Sequence, residues 1–98
     1  MKDISIHHFL KKNKSEFQII DIRERYEFEN GNIEAINIPM DEILQSSNKI
    51  DKTKQVIIYC QTGRRAAAVI YMLNKQYGLN NIFNLKGGYA AYLENISN

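Results

Sequence analysis

Val56-Ile57-Ile58-Tyr59-Cys60-Gln61-Thr62-Gly63-Arg64-Arg65-Ala66-Ala67-Ala68 is the stretch that decides the fold. Residues 56–59 are apolar without interruption and rich in β-branched side chains, the pattern of a strand buried on both faces. The period then changes. From Arg64 to Tyr77 the apolar side chains Ala66, Val69, Ile70, Leu73 and Tyr77 fall on one helical stripe, and Gly78 is a stop signal. A buried strand therefore runs through a turn of four residues into a helix.

Weaker copies of this alternation flank it. Gln18–Ile22, Ala35–Ile38 and Asn81–Leu85 read as further strands, and residues 2–4 as a short edge strand. Between them lie helical patterns. Ile6, Phe9 and Leu10 share a face with Ser5 as N-cap, and Glu24–Asn30 is closed by Gly31. Asp41–Gln45 follows Pro39, and Tyr89, Tyr92, Leu93 and Ile96 form a last amphipathic helix. Strands alternating with helices predict an α/β domain, a parallel sheet covered on both faces. In such a sheet the functional site lies at the carboxyl ends of the strands.

Cys60 stands at that place on the strongest strand. Backbone N–H groups at a helix start have no intrahelical acceptor, and the positive end of the helix dipole points the same way. Both favour a thiolate, the nucleophilic form. Gly63 permits a positive φ, so that successive N–H groups can curl round one centre. Arg64 and Arg65 add positive charge for an anionic ligand. To react, Cys60 has to face the open side of this loop. A lone cysteine is more often a small buried hydrophobe, but that account leaves Gly63-Arg64-Arg65 without a reason.

The bulk numbers bound the rest. The 98 residues make one domain, 1–98, with 44% hydrophobic and 24% charged residues. A net charge of +2 gives no basic surface for nucleic acid. A single cysteine cannot form an internal disulfide, which suits a reducing compartment. No apolar run reaches the roughly 20 residues of a membrane span, and MKDISIHHFLKKNK lacks a signal-peptide core. The expectation is a soluble, cytoplasmic protein. No His/Cys cluster has zinc spacing, and adjacent His7 and His8 point apart on a helix.

Four motifs in order resemble the rhodanese homology family. Cys60-Gln61-Thr62-Gly63-Arg64-Arg65 matches its loop pattern Cys-x-x-Gly-x-Arg. Asp21-Ile22-Arg23 with Tyr26-Glu27-Phe28 resembles the family's Asp-Val/Ile-Arg and the Glu-Phe after it. Gly31-Asn32-Ile33 to Ile36-Asn37-Ile38-Pro39 resembles Gly-His-Ile…Ile-Asn-Ile-Pro, and Leu85-Lys86-Gly87-Gly88-Tyr89 to Tyr92 the closing Gly-Gly motif. Asn32 replaces a usual His, the 33–35 turn is one residue short, and Ala66 replaces a frequent Ser.

The resemblance implies a five-stranded, mostly parallel sheet with helices on both faces. It also implies a thiosulfate sulfurtransferase-like reaction through a Cys60 persulfide. Cys60 would be the catalytic nucleophile, with Gln61, Thr62, Gly63, Arg64 and Arg65 binding the donor. N–H groups of residues 61–65 would stabilise the persulfide, and Arg65, with Arg64, would draw in a small anion such as thiosulfate. The acceptor would be cyanide, a thiol or a sulfur-relay protein, with no metal or organic cofactor.

Two rivals remain at this stage. Cysteine phosphatases and arsenate reductases also use a Cys loop ending in Arg, but the comparison gives them five intervening residues, whereas Cys60 and Arg65 enclose four. A non-enzymatic sulfur carrier or partner-binding module of the same fold is the other. Asp21 and Arg23 are supporting residues. Asp21 could accept hydrogen bonds from the loop and Arg23 could pair with Glu27, though a structural ion pair is the commoner role. Gly87-Gly88 reads as a backbone turn beneath the site, Lys11, Lys12 and Lys14 as a solvated face, and the six tyrosines mostly as packing.

Overall fold

The computed structural model describes residues 2–97. Five strands, β1 (Asp3–Ile4), β2 (Phe17–Asp21), β3 (Ile36–Asn37), β4 (Gln55–Tyr59) and β5 (Ile82–Leu85), form one sheet in the order β1-β5-β4-β2-β3. Every pairing is parallel. The helices are α1 (Ile6–Lys11), α2 (Arg25–Glu29), α3 (Met40–Ile43), α4 (Arg64–Tyr77) and α5 (Gly88–Ile96). Two 3-10 turns, Lys14–Glu16 and Ser47–Lys49, lead towards β2 and β4 and have no apolar period that would announce them.

Side chains alternate across a strand, and β4 divides the core accordingly. Val56, Ile58 and Cys60 pack with Ile20, Ile22 and the buried stripe of α4. Ile57 and Tyr59 pack on the other face with Ile19, Phe9 of α1 and the half-buried Tyr89 and Tyr92 of α5. The register pairs Asp21 with Tyr59, so both project to the α1/α5 face while Cys60 belongs to the α4 face. Ser5 caps α1 through His8 N–H at 3.1 Å, and Gly78 ends α4 at φ +66°.

The tyrosines depart from expectation. Tyr26, Tyr71 and Tyr77 are exposed, so only Tyr59, Tyr89 and Tyr92 serve as core or half-buried packing. Tyr77 leaves the α4 stripe because its hydroxyl reaches out to the Leu44 carbonyl at 2.6 Å. Asn32 takes over a local task in the shortened turn. It donates to the Phe28 carbonyl and accepts from Glu34 N–H, holding Glu34 at φ +51°. Among the described residues, no helix is long and apolar enough to cross a membrane.

Candidate active site

The strand-to-helix turn closes round the sulfur of Cys60. Gly63 takes φ +99°, a left-handed value open to glycine, and becomes the N-cap of α4. Its N–H donates to Cys60 Sγ at 3.1 Å, and Ala66 N–H does so at 3.3 Å. Of the run 61–65 expected to face the sulfur, Gly63 does so, and Ala66, one residue beyond the run, joins it. The Asn84 amide of β5 supports the turn from below by donating to the Gly63 carbonyl at 3.0 Å.

The loop is fixed from the other side by α5. Tyr89 N–H donates to the Cys60 carbonyl at 2.9 Å and Ala90 N–H to the Gln61 carbonyl at 3.0 Å. Gly88, at φ +64°, lies so close that a Cβ there would sit 2.7 Å from the Gln61 carbonyl carbon. Gly87-Gly88 is thus the backbone turn beneath the site that the sequence suggested.

Thr62 and Arg64 are exposed at the rim, and Gln61 and Arg65 are half-buried. Cys60 itself has no exposed surface. That corrects the expectation of a cysteine facing the open side. Parity turns Sγ towards the α4 face, under the loop.

Asp21 and Arg23 are both almost wholly buried and pair with each other. Arg23 Nη2 lies 2.7 Å from Asp21 Oδ2, and its Nε and backbone N–H also donate to that carboxylate. Burial alone would lower the Arg23 guanidinium; Asp21, with Tyr59, more than offsets it and holds it above its ordinary value. The guanidinium lies over the Tyr89 ring at 4.4 Å and donates to the Gly31 carbonyl. The structural ion pair, the role expected as the commoner one, is present, and both alternatives to it fail. Asp21 takes its hydrogen bonds from Arg23 and not from the catalytic loop, because strand parity sends it to the opposite face. Arg23 pairs with Asp21 and not with Glu27. Its link to the loop is a 3.3 Å hydrogen bond from Nη1 to Gln61 Oε1.

Glu27 is paired instead with Arg65, in a two-pronged contact of 2.9 and 3.1 Å. Each shifts the other. Arg65 holds the Glu27 carboxyl below the usual range, and Glu27 raises the Arg65 guanidinium. Sequence spacing could not find this pair, whose members are 38 residues apart. Tyr59 is the other missed residue. Burial pushes its hydroxyl far above the ordinary range, so it stays protonated, and its oxygen accepts Ile33 N–H at 3.2 Å.

Comparison with known proteins agrees with this fold. The family model of the rhodanese-like domain matches residues 7–95. The chain is 44% identical over 76 residues to the uncharacterized protein YqhL of Bacillus subtilis, covering 76% of this chain and 60% of that protein. It is 36% identical to a protein of Allochromatium vinosum named sulfurtransferase, covering 76% of this chain and 69% of that one. The rhodanese-related protein from Thermoplasma volcanium superposes with a TM-score of 0.87 at 29% identity, covering 97% of this chain and 93% of its own. This chain belongs to the rhodanese-like domain family, and its five-stranded parallel α/β sheet is that family's fold. In YqhL the matched stretch is less than two thirds of the protein.

Proposed function

We infer that this chain is a sulfurtransferase that moves sulfane sulfur through a persulfide on Cys60. The observation that carries the reading is the pair of backbone N–H groups, Gly63 and Ala66, converging on Sγ at the start of a fourteen-residue helix. Donors held in place before reaction stabilise charge without reorganising. They suit the sulfur that attacks and the thiolate that leaves at the end.

The steps balance with one sulfur moved. Cys60 thiolate attacks the outer sulfur of thiosulfate. A sulfur–sulfur bond forms to Cys60, the original one breaks, and sulfite leaves with its electron pair. The terminal sulfur of the persulfide carries the negative charge. A thiol or cyanide acceptor then attacks that sulfur, and Cys60 thiolate departs. Gln61, Thr62, Arg64 and Arg65 line the approach, and Asp21 and Arg23 support the loop through Gln61 and Tyr89.

Incubating the reduced protein with thiosulfate and removing excess donor should add one sulfur, about 32 Da, to the peptide that contains Cys60. A chain left unchanged in mass both by thiosulfate and by a singly charged sulfane donor, under conditions that load a known sulfurtransferase, would remove the proposal. The same loop predicts negligible hydrolysis of aryl phosphates. Four residues between Cys60 and Arg65 leave less room than the five of a phosphatase loop, and no aspartate follows as a general acid. Phosphatase turnover that disappears with Cys60 would reverse that size argument.

A further inference from the structure

The charges round Cys60 are nearly cancelled, and the way they are cancelled bears on the donor. All strands run in one direction, so each connection leaves the sheet at the carboxyl edge and returns to it at the amino edge. The four arginines, Lys86 and six of the eleven carboxylates lie in segments leaving the strands at the carboxyl edge, where Cys60 sits. The other eight lysines lie in segments leading into strands. The chain's excess positive charge is therefore at the far edge, and the edge with the nucleophile has none.

At the site itself the cancellation is specific. Arg23 is buried against Asp21. Arg65, the loop cation expected to attract an anion, is held by both oxygens of Glu27. Glu27 is itself fixed, because Oε1 also accepts Glu24 N–H at 3.0 Å in the capping box of α2. Arg64 is exposed at the rim and makes no ion pair among the described residues.

We propose that Glu27 is a specificity-determining residue that masks Arg65, disfavours dianionic donors, and fits the site to sulfane sulfur carried on an organic group of lower charge. This rests on sulfur transfer through Cys60. The physical ground is that a Coulomb energy scales with the charge of the ligand. A carboxylate beside the loop opposes thiosulfate, with two negative charges, about twice as strongly in free energy as a monoanion of similar shape. Methanethiosulfonate is such a monoanion. Attack by Cys60 on its outer sulfur gives the same persulfide and releases methanesulfinate, with charge and electrons balanced.

Glu27→Gln tests this, because glutamine keeps an acceptor for Arg65 and for Glu24 N–H while losing the charge. Single-turnover loading of Cys60 should quicken about tenfold with thiosulfate and about threefold with methanethiosulfonate, so their ratio rises about threefold. In the unaltered protein, thiosulfate loading should change less than about twofold between low and physiological salt, and it should fall more steeply in Glu27→Gln. An unchanged or lower ratio in the variant, or a steep salt dependence in the unaltered protein, would overturn the role of Glu27. Failure of both donors to load the unaltered protein would instead remove the sulfur-transfer reading, and this inference with it.

Discussion

Cys60→Ser is expected to leave the fold intact and to reduce sulfur transfer by at least about 10³-fold, the scale that follows loss of a covalent nucleophile. Serine is close to cysteine in shape, and its hydroxyl oxygen can accept the Gly63 and Ala66 N–H groups that now point at Sγ. The alcohol cannot form a persulfide, and Cys60 is the only cysteine in the chain, so no neighbouring thiol can replace it. The check is cyanide- or thiol-dependent turnover of a sulfane donor, with thermal unfolding measured on the same sample. A midpoint within a few degrees of the unaltered protein, with activity gone, separates chemistry from folding. Retained transfer in Cys60→Ser would mean that sulfur moves by a route that bypasses the loop.

The same stretch shows why much of this site was legible in the sequence. A strand, a glycine and a helix in immediate succession fix where the cysteine sits, because local period and backbone freedom decide those elements. Helix α4 has the bounds the apolar stripe gives it, Arg64–Tyr77. The Gly-Gly turn under the loop was legible for a similar reason, since only glycine fits so near the Gln61 backbone.

Sequence favoured a structural ion pair for Asp21 and Arg23, which is present, but it could not give the partner of Glu27. Arg23 had Glu27 four residues ahead at helical spacing, yet Arg23 is not in α2, and its own backbone follows Asp21 into a tight buried ring of hydrogen bonds. Glu27 was then free for Arg65, a pairing made by the β2–β4 register and invisible to local spacing. The burial of Cys60 was missed because loop position argues for access, whereas strand parity argues for the α4 face, and parity prevails. Exposure of Tyr26, Tyr71 and Tyr77 has the same root: a tyrosine's apolar ring suggests packing, while its hydroxyl allows it to remain in water.

Asp21→Asn is expected to destabilise the domain by about 3–5 kcal/mol, the usual consequence of stranding one member of a buried ion pair. Arg23 keeps its charge under these conditions, since Asp21 only adds to a guanidinium that is already strongly basic. With Asn at position 21, that charge remains 2% exposed, between the Tyr89 ring and the Gly31 carbonyl. Those neighbours supply dipoles and a π face, which do not replace a full opposite charge at 2.7 Å. In a domain of this size the unfolding midpoint should drop by at least about 12 °C. Because marginal stability is only about 5–15 kcal/mol, much of the margin would be gone. Adding Arg23→Met to Asp21→Asn should restore most of the loss, because the stranded charge is then removed together with its partner. The test is denaturant unfolding of the two single variants and the double variant. A small change for Asp21→Asn, or a double variant no more stable than the single one, would show that the pair is screened and that the rings alone hold Arg23. A restored double variant that still loads Cys60 slowly would assign the pair its second role, holding Gln61 in the catalytic loop through the Arg23 Nη1 contact.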